Sequence, residues 1–161
     1  MFMQSNRLTS EWTLRSEQAF GATGKAGDEG ENWTKKILED CGYEVKFYPS
    51  DKEKQIAGID IELNNVAIDI KSNLTDKDTF YVETKQRGWL FNPIKKSTVI
   101  WHVNPRNGKT YWYLRSDMIE YAKKHRNGFG LLKINKPSSL PFIHEVIFNE
   151  TTKVHMGDLP T

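Results

Sequence analysis

The sequence lacks several features that would define its class at once. It contains a single cysteine, Cys41, so no disulfide can form within the chain. It has no apolar run long enough to span a bilayer and no stretch resembling a signal peptide, so we expect a cytoplasmic protein without a membrane partner. His144 and His155 have no cysteine or second histidine at zinc-ligand spacing. A Gly-rich phosphate loop and a nucleophile elbow are also missing.

Neither sign of charge dominates the composition. The chain has 23 Lys and Arg against 21 Asp and Glu, a net charge of +2, so a nucleic-acid partner must be argued from where the charges lie. Its 161 residues, 37% of them hydrophobic, are enough for one globular domain with its own core. We divide the chain into an N-terminal arm at 1–26, a domain at 27–150 and a tail at 151–161.

Two aspartates interrupt the apolar stretch at 58–71, GIDIELNNVAIDIK. Its Asn64-Asn65 pair predicts a tight hairpin turn, because asparagine tolerates the positive φ angles that such turns need. In that register Asp60 lies beside Asp69. Residues two apart on a strand share a face, so Lys71 points the same way as Asp69. Three apolar residues alternate with them toward the opposite face: Val66, Ile68 and Ile70.

Two interpretations of this hairpin stay open on the residues alone. Carboxylate oxygens at one end of a hairpin suit Mg²⁺ or Mn²⁺. A lysine beside them can orient a water molecule or stabilise charge on a phosphate. The alternative is a solvated hairpin face, because alternating charge is typical of any half-buried strand. Aspartate is disfavoured inside strands, and its presence in Ile-, Val- and Ala-rich segments favours a site.

The hairpin residues also resemble a family signature. Asp60, a short spacer and then Asp69-Ile70-Lys71 are similar to the motif of the PD-(D/E)xK nucleases. That superfamily includes restriction endonucleases, Holliday junction resolvases and phage recombination nucleases. Ile59 stands where the motif often has proline. The resemblance covers residues 27–75 and implies a restriction-endonuclease-like core in the order helix, strand, catalytic hairpin.

A predicted helix at 27–42 precedes the hairpin. Gly42 is expected to end it, and four apolar residues share one stripe: Trp33, Ile37, Leu38 and Cys41. The acidic residues of its first turn are explained by the helix dipole alone. The resemblance implies more, because resolvase-like members carry a site glutamate at a fixed interval before a Gly-aromatic pair. Glu31 precedes Gly42-Tyr43 by eleven residues, so we expect Glu31, rather than Glu29, to complete the site.

The activity that the resemblance implies is metal-dependent hydrolysis of phosphodiester bonds. The implied catalytic residues are Glu31, Asp60, Asp69 and Lys71. The implied ligands of Mg²⁺ or Mn²⁺ are Glu31, Asp60, Asp69 and the backbone carbonyl of Ile70. Lys71 is expected to position or activate the attacking water.

A second acid-x-lysine triplet, Glu83-Thr84-Lys85, lies on a predicted strand at 79–85. It is the main rival for the site. We prefer Asp69-Ile70-Lys71, because its partner carboxylate lies within one hairpin and its flanks are more apolar. Glu83 is also a candidate to reach that site from a neighbouring strand.

The predicted loop at 86–96 interleaves basic and aromatic residues. Arg87, Lys95 and Lys96 are the candidate nucleic-acid contacts, because cations bind phosphates and aromatic rings stack on bases or sugars. The alternative is that Trp89-Leu90-Phe91 enters the core and the lysines are solvated.

The remaining predicted elements complete an α/β fold. Strands are expected at 43–48, 97–103, 109–115, 131–134 and 142–148, and 49–57 is expected to be a loop. Ser116 is expected to cap a helix that ends near His125. His102 is expected to be structural. The predicted architecture is a central mixed β-sheet flanked by helices, with the N-terminal helix on one side and the later helix on the other.

The expected function is a structure-selective DNA endonuclease similar to Holliday junction resolvases, acting in DNA recombination. A homodimer is expected, because two strands must be cut. One alternative is a sequence-specific restriction or homing endonuclease. The other is a non-catalytic DNA-binding protein with a nuclease-like fold.

Overall fold

The computed structural model describes residues 25–40, 42–48, 50–72, 77–104, 109–128 and 130–146, with side chains from residue 30 onward. The elements, in chain order, are α1 (Lys25–Asp40), β1 (Val45–Phe47), α2 (Lys52–Ile56), β2 (Ile61–Leu63), β3 (Val66–Ser72), β4 (Thr79–Glu83), β5 (Val99–Asn104), β6 (Lys109–Leu114), α3 (Arg115–His125), β7 (Leu131–Asn135), a short 3-10 helix (Pro137–Ser139) and β8 (His144–Val146).

Six strands form one mixed sheet in the order β1-β2-β3-β5-β6-β8, and β4 pairs with β7 in a separate sheet of two strands. The pair β3 and β5 is parallel, and the other pairs in the large sheet are antiparallel. This mixed α/β architecture confirms the predicted fold class at the level of a central mixed sheet with helices.

The β2–β3 hairpin has the predicted turn. Asn64 and Asn65 have φ angles of 50° and 67°, the left-handed pair that a two-residue hairpin turn requires. Ile61 lies opposite Ile68 in the register, which directs both residues into the core. The predicted register is thus confirmed over the ladder, and Asp60 lies just beyond its end, beside Asp69.

The large sheet separates two hydrophobic clusters, because alternate residues on each strand point to opposite faces. Ile68 belongs to the first cluster, with three residues of α1: Trp33, Ile37 and Leu38. Ile100 belongs to the second cluster, in which α3 buries Met118 and Ala122. The predicted placement of the two helices on opposite sides of the sheet is confirmed.

The ends of the helices follow local chemistry, with two corrections. Gly42, at φ 93°, ends α1 as predicted, and the Tyr43 amide donates to the Leu38 carbonyl. The predicted Ser116 cap is wrong, because α3 begins after Leu114 without a side-chain cap. The predicted loop at 49–57 is also wrong, since it contains α2, where the Asp51 carboxylate accepts a hydrogen bond from the Lys54 amide.

Two further findings bear on the predicted layout. β4 is not a neighbour of β3, because it pairs with β7 instead. The predictions for most of the N-terminal arm and for the whole tail concern residues 1–24 and 151–161, which lie outside the described part of the chain. Among the helices that are described, none combines the length and apolar character needed to cross a membrane.

Candidate functional site

Asp60 stands where the ladder between β2 and β3 ends. Its amide donates to the Ile68 carbonyl over 3.0 Å, and its Oδ2 accepts a hydrogen bond from the Ile70 amide over 2.7 Å. The Asp60 carboxylate thus takes the place of the backbone carbonyl that would accept from the Ile70 amide if the ladder continued. This contact fixes the Asp60 side chain beside the strand that carries Asp69.

Asp69 is a buried carboxyl group, with only 3% of its surface exposed. Lys71 Nζ lies 3.3 Å from Asp69 Oδ2, as expected for residues two apart on a strand. Burial raises the pKa of Asp69 to about 7; Lys71 opposes this shift, while the Asp60 charge and a hydrogen bond between the two carboxyl groups add to it. Asp60, Asp69 and Lys71 are therefore brought together as predicted.

Aromatic side chains surround Lys71. Its ammonium group lies 5.0 Å from the ring centroid of Trp89, within cation–π range. His102, the residue opposite Lys71 on β5, is buried and stacks on Phe80 at 3.8 Å between ring centroids. Its Nε2 lies 2.8 Å from the Tyr113 hydroxyl. Burial, with the nearby Lys71 charge, lowers the pKa of His102 to about 3, which agrees with a structural role for a neutral ring.

A second chain segment covers Asp69. Gly58 adopts φ 71°, and a Cβ at this position would lie 3.7 Å from Asp69 Oδ2 and 3.1 Å from Lys95 Cδ. Lys95 Nζ donates to the Ile56 carbonyl over 2.9 Å, and the Lys96 amide donates to the Ala57 carbonyl over 2.8 Å. The residues just before Asp60 and the end of the loop at 86–96 are thus joined beside the carboxylate pair.

Arg115 is a neighbour of the site that sequence reasoning missed. Asp69 is near enough to raise the pKa of Arg115, although burial, the larger effect, lowers it. The Nη2 atom of Arg115 donates to the Asn92 carbonyl over 3.0 Å. Within the described residues, the buried Nε–H of Arg115 has no hydrogen-bond partner. No local pattern could have indicated this, because the contact joins residues far apart in the chain.

Glu31 is half-buried on α1. The residues of α1 that enter the core lie against the sheet face to which Ile68 and Ile70 point, and Asp69 points to the opposite face. In the described part of the chain, no group of three or more His, Cys, Asp or Glu side chains has an arrangement that could hold a metal ion. The structure therefore does not group Glu31 with Asp60 and Asp69, its role as third ligand stays a prediction, and the Glu29 side chain lies outside the described ones.

Glu83 and Lys85, the rival pair, have different surroundings. Glu83 is half-buried against Gly88, at which a Cβ would overlap the carboxylate, and Lys85 is exposed. The neighbouring strand of Glu83 is β7, and the partners of β3 are β2 and β5. β4 is therefore not adjacent to β3 in the sheet, and a role for Glu83 in the site stays a prediction.

The loop at 86–96 combines both of its predicted characters. Leu90 is fully buried, and Trp89 and Phe91 pack against the second cluster. Arg87 and Lys96 are exposed, whereas Lys95 is half-buried. The aromatic residues thus anchor the loop to the core while its cations lie at or near the surface.

No family model, curated protein or solved structure matches this chain. The resemblance to the PD-(D/E)xK nucleases therefore depends on the residues themselves and on how they are arranged.

Proposed function

We propose that this protein is a metal-dependent DNA endonuclease with a restriction-endonuclease-like core, structure-selective in the manner of Holliday junction resolvases. One observation carries the proposal. Asp60, bonded to the Ile70 amide at the end of the hairpin, lies beside Asp69, and the Lys71 ammonium group is 3.3 Å from Asp69. The order of α1, β1 and the hairpin is also the order that the resemblance implies.

The chemistry of these side chains fits a hard divalent cation. Two carboxyl groups share one small, mostly buried volume, and the pKa of Asp69 is raised to about 7 by burial and by Asp60. A bound cation would relieve this, because it supplies positive charge where two carboxylates are poorly solvated. Asp60, Asp69 and the Ile70 carbonyl would hold the ion, and Glu31 is the proposed further ligand, directly or through water.

The residues of the candidate site have distinct proposed tasks. A bound Mg²⁺ or Mn²⁺ would supply Lewis acidity, which would lower the pKa of a water molecule and offset charge on the scissile phosphate. Asp60 and Asp69 would hold the ion at the end of the hairpin. Lys71 holds the attacking water or the phosphate by hydrogen bonding, and the face of Trp89 limits where its ammonium group can go. Arg87, Lys95 and Lys96 bind the DNA backbone.

The physiological form that we propose is a cytoplasmic homodimer acting in DNA recombination. Cutting both strands of a branched DNA requires two sites, and one chain carries one Asp60–Asp69 pair. A sequence-specific restriction or homing enzyme would share the chemistry but would prefer a base sequence to a DNA shape. Comparing four-way junctions, flaps and linear duplexes as substrates separates these branches.

A non-catalytic DNA-binding protein is the second candidate, and one observation favours it. Both carboxylates already have partners within the chain: the Ile70 amide for Asp60 and Lys71 for Asp69. Such contacts could serve the fold alone. In that case the hairpin would hold no metal ion and the purified protein would bind DNA without cutting it.

The deciding experiment is a plasmid-nicking assay with Mg²⁺ or Mn²⁺, with EDTA as the metal-free control. We expect nicking by the wild type in either metal and none in EDTA. Asp69→Asn and Lys71→Met should each abolish nicking while duplex binding in EDTA persists. Normal cutting by either folded variant, verified by circular dichroism, would defeat the assignment. Binding without cutting by the wild type would favour the second candidate.

A further inference from the structure

The loop at 86–96 is attached to one side of α3 at two points. Arg115 Nη2, at the start of the helix, donates to the Asn92 carbonyl over 3.0 Å. The guanidinium carbon of Arg126, directly after the helix, lies 4.9 Å from the ring centroid of Phe91. Two adjacent loop residues, Phe91 and Asn92, are therefore held by arginine side chains from the two ends of α3.

Helix geometry determines which other side chains share this side. Met118 and Ala122 point into the core, which fixes the rotation of α3 about its axis. Residues at intervals of three and four form a row along a helix. Arg115 and Arg126 are therefore joined in one row by two residues between them: Ile119 and Lys123. Lys124 is turned about 100° away from Lys123 and lies on the other flank, near Asp117.

The loop connects this row to the candidate site. Trp89 contacts Lys71, and Phe91 contacts Arg126. Arg87 and Lys96 are exposed cations of the same loop. We name the set formed by Arg87, Lys96, Lys123 and Arg126 the loop–helix surface. It places positive charge on two elements that meet beside the Asp60–Asp69 pair, although the whole chain has a net charge of only +2.

We propose that the loop–helix surface binds the phosphate backbone of duplex DNA, so that the DNA runs from the candidate site along one flank of α3. The inference rests on the proposed function, because it takes DNA as the ligand. It adds a second element to the contact and assigns Lys123 and Arg126, but not Lys124, to the interface.

The helix dipole alone is a competing explanation for basic residues in the last turn of α3. It treats Lys123 and Lys124 alike, because both lie in that turn. A DNA interface distinguishes them by their position around the axis. The ion pair of Lys123 with Glu120 spans 3.7 Å between exposed side chains, so it competes weakly with a phosphate. Lys124 is therefore a matched control on the same helix.

The experiment measures duplex DNA binding in EDTA as a function of salt, so no cutting is involved. Each lost phosphate contact should reduce the slope of log K against log[salt] by about 0.9. We expect Lys123→Gln/Arg126→Gln to reduce the slope by about 1.8 and Lys124→Gln to leave it unchanged. Arg126→Lys should retain the wild-type slope, because it keeps the charge even if it loses the Phe91 contact.

Three outcomes would overturn the inference. The first is an unchanged salt slope for the double variant. The second is a reduction of the slope for Lys124→Gln as large as that expected for one lost phosphate contact. The third is tighter binding of an RNA duplex of the same sequence, which would reject DNA as the partner. If the wild type nicks plasmid with Mg²⁺ while the double variant keeps its slope, only this inference fails. If the wild type neither binds nor nicks DNA, the proposed function fails with it.

Discussion

The two acid-x-lysine triplets of this chain have the same spacing and different surroundings. In Asp69-Ile70-Lys71 the acid is buried, is bonded to its own lysine and lies beside a second carboxylate. In Glu83-Thr84-Lys85 the acid is half-buried against Gly88 and the lysine is exposed. The middle residue is buried in both. The acid-x-lysine spacing can therefore bring an acid and a lysine to one side of a strand, but the second carboxylate of a site must come from a neighbouring segment.

The two strands differ in what covers them. β3 lies between β2 and β5 in the six-stranded sheet, so Asp69 meets Asp60 on one side and Ile100 on the other. β4 pairs with β7, and the Thr84 hydroxyl beyond its end is bonded to the Gly130 carbonyl over 3.0 Å. The second triplet thus connects β4 to the start of β7, which is a structural role. Substitutions that treat the two triplets alike can break this distinction.

The largest effect is expected on activity. Asp69→Asn removes a proposed metal ligand without changing its size, and Glu83→Gln makes the same change in the rival triplet. Loss of a group that only supports a ligand costs about 10–100-fold, so loss of Asp69 should reduce the rate of DNA nicking by more than about 100-fold. Glu83→Gln should stay near the wild-type rate. The measurement is the initial rate of plasmid nicking in Mg²⁺.

The distinction between the triplets would break if the two variants lost activity equally. It would reverse if Glu83→Gln alone were inactive. Circular dichroism and a thermal unfolding curve for each variant separate loss of chemistry from loss of fold.

The next effect is the pH dependence of stability. Burial raises the pKa of Asp69 from 3.8 to about 7, so the folded protein holds this proton more tightly than the unfolded chain does. The free energy of unfolding therefore falls as pH rises through this interval. Asp69→Asn removes the effect and should gain stability relative to the wild type between pH 5 and pH 8, by at most about 2.6 kcal/mol, because only the part of this interval above pH 5 contributes.

Urea unfolding of both proteins at the two pH values gives this difference, since other groups affect both alike. Burial lowers the pKa of His102 to about 3, a shift that favours the folded state at higher pH, and it cancels in the comparison. If the difference in the free energy of unfolding between wild type and variant were the same at both pH values, ionisation of Asp69 would not destabilise the fold.

The contrast also shows what the sequence could predict and what it could not. The hairpin was predictable, because Asn64-Asn65 determines the turn and the alternation of Ile68, Asp69 and Ile70 determines the register. The closeness of Asp60 to Asp69 follows from those local facts. The end of α1 was predictable as well, since Gly42 can adopt the positive φ that the structure has.

Contacts between distant segments were not predictable. The Arg115 side chain donates to the Asn92 carbonyl, and the Lys95 side chain donates to the Ile56 carbonyl. β4 pairs with β7, although two strands and a helix lie between them in the sequence. Local propensity also misplaced the start of α3: Ser116 suits a cap, yet the helix already begins at Arg115. The Arg115 amide donates to the carbonyl of Thr98, the residue just before β5, so a tertiary contact sets the start of the helix.

A smaller effect concerns the glycine beside the second triplet. Gly88→Ala would place a Cβ against the Glu83 side chain, whose Cγ and Cδ both lie 3.0 Å from that position. We expect a loss of about 1–3 kcal/mol in the free energy of unfolding, as in other overpacked sites. Adding Glu83→Ala should restore much of this loss, because it removes the colliding atoms. Urea unfolding of the two single variants and the double variant completes the cycle, and strict additivity would contradict the contact.

The smallest effects come from the two lysines, and they test the comparison most directly. Lys71→Met removes the partner of a buried carboxylate and a contact with Trp89, so it should cost about 1–2 kcal/mol at pH 8. Lys85→Met changes an exposed side chain and should stay within about 0.5 kcal/mol of the wild type. Equal costs in urea unfolding would mean that Lys71 contributes no more to the fold than a solvated lysine does. Its closeness to Asp69 would then serve chemistry alone, which the nicking assay on the same two variants measures independently.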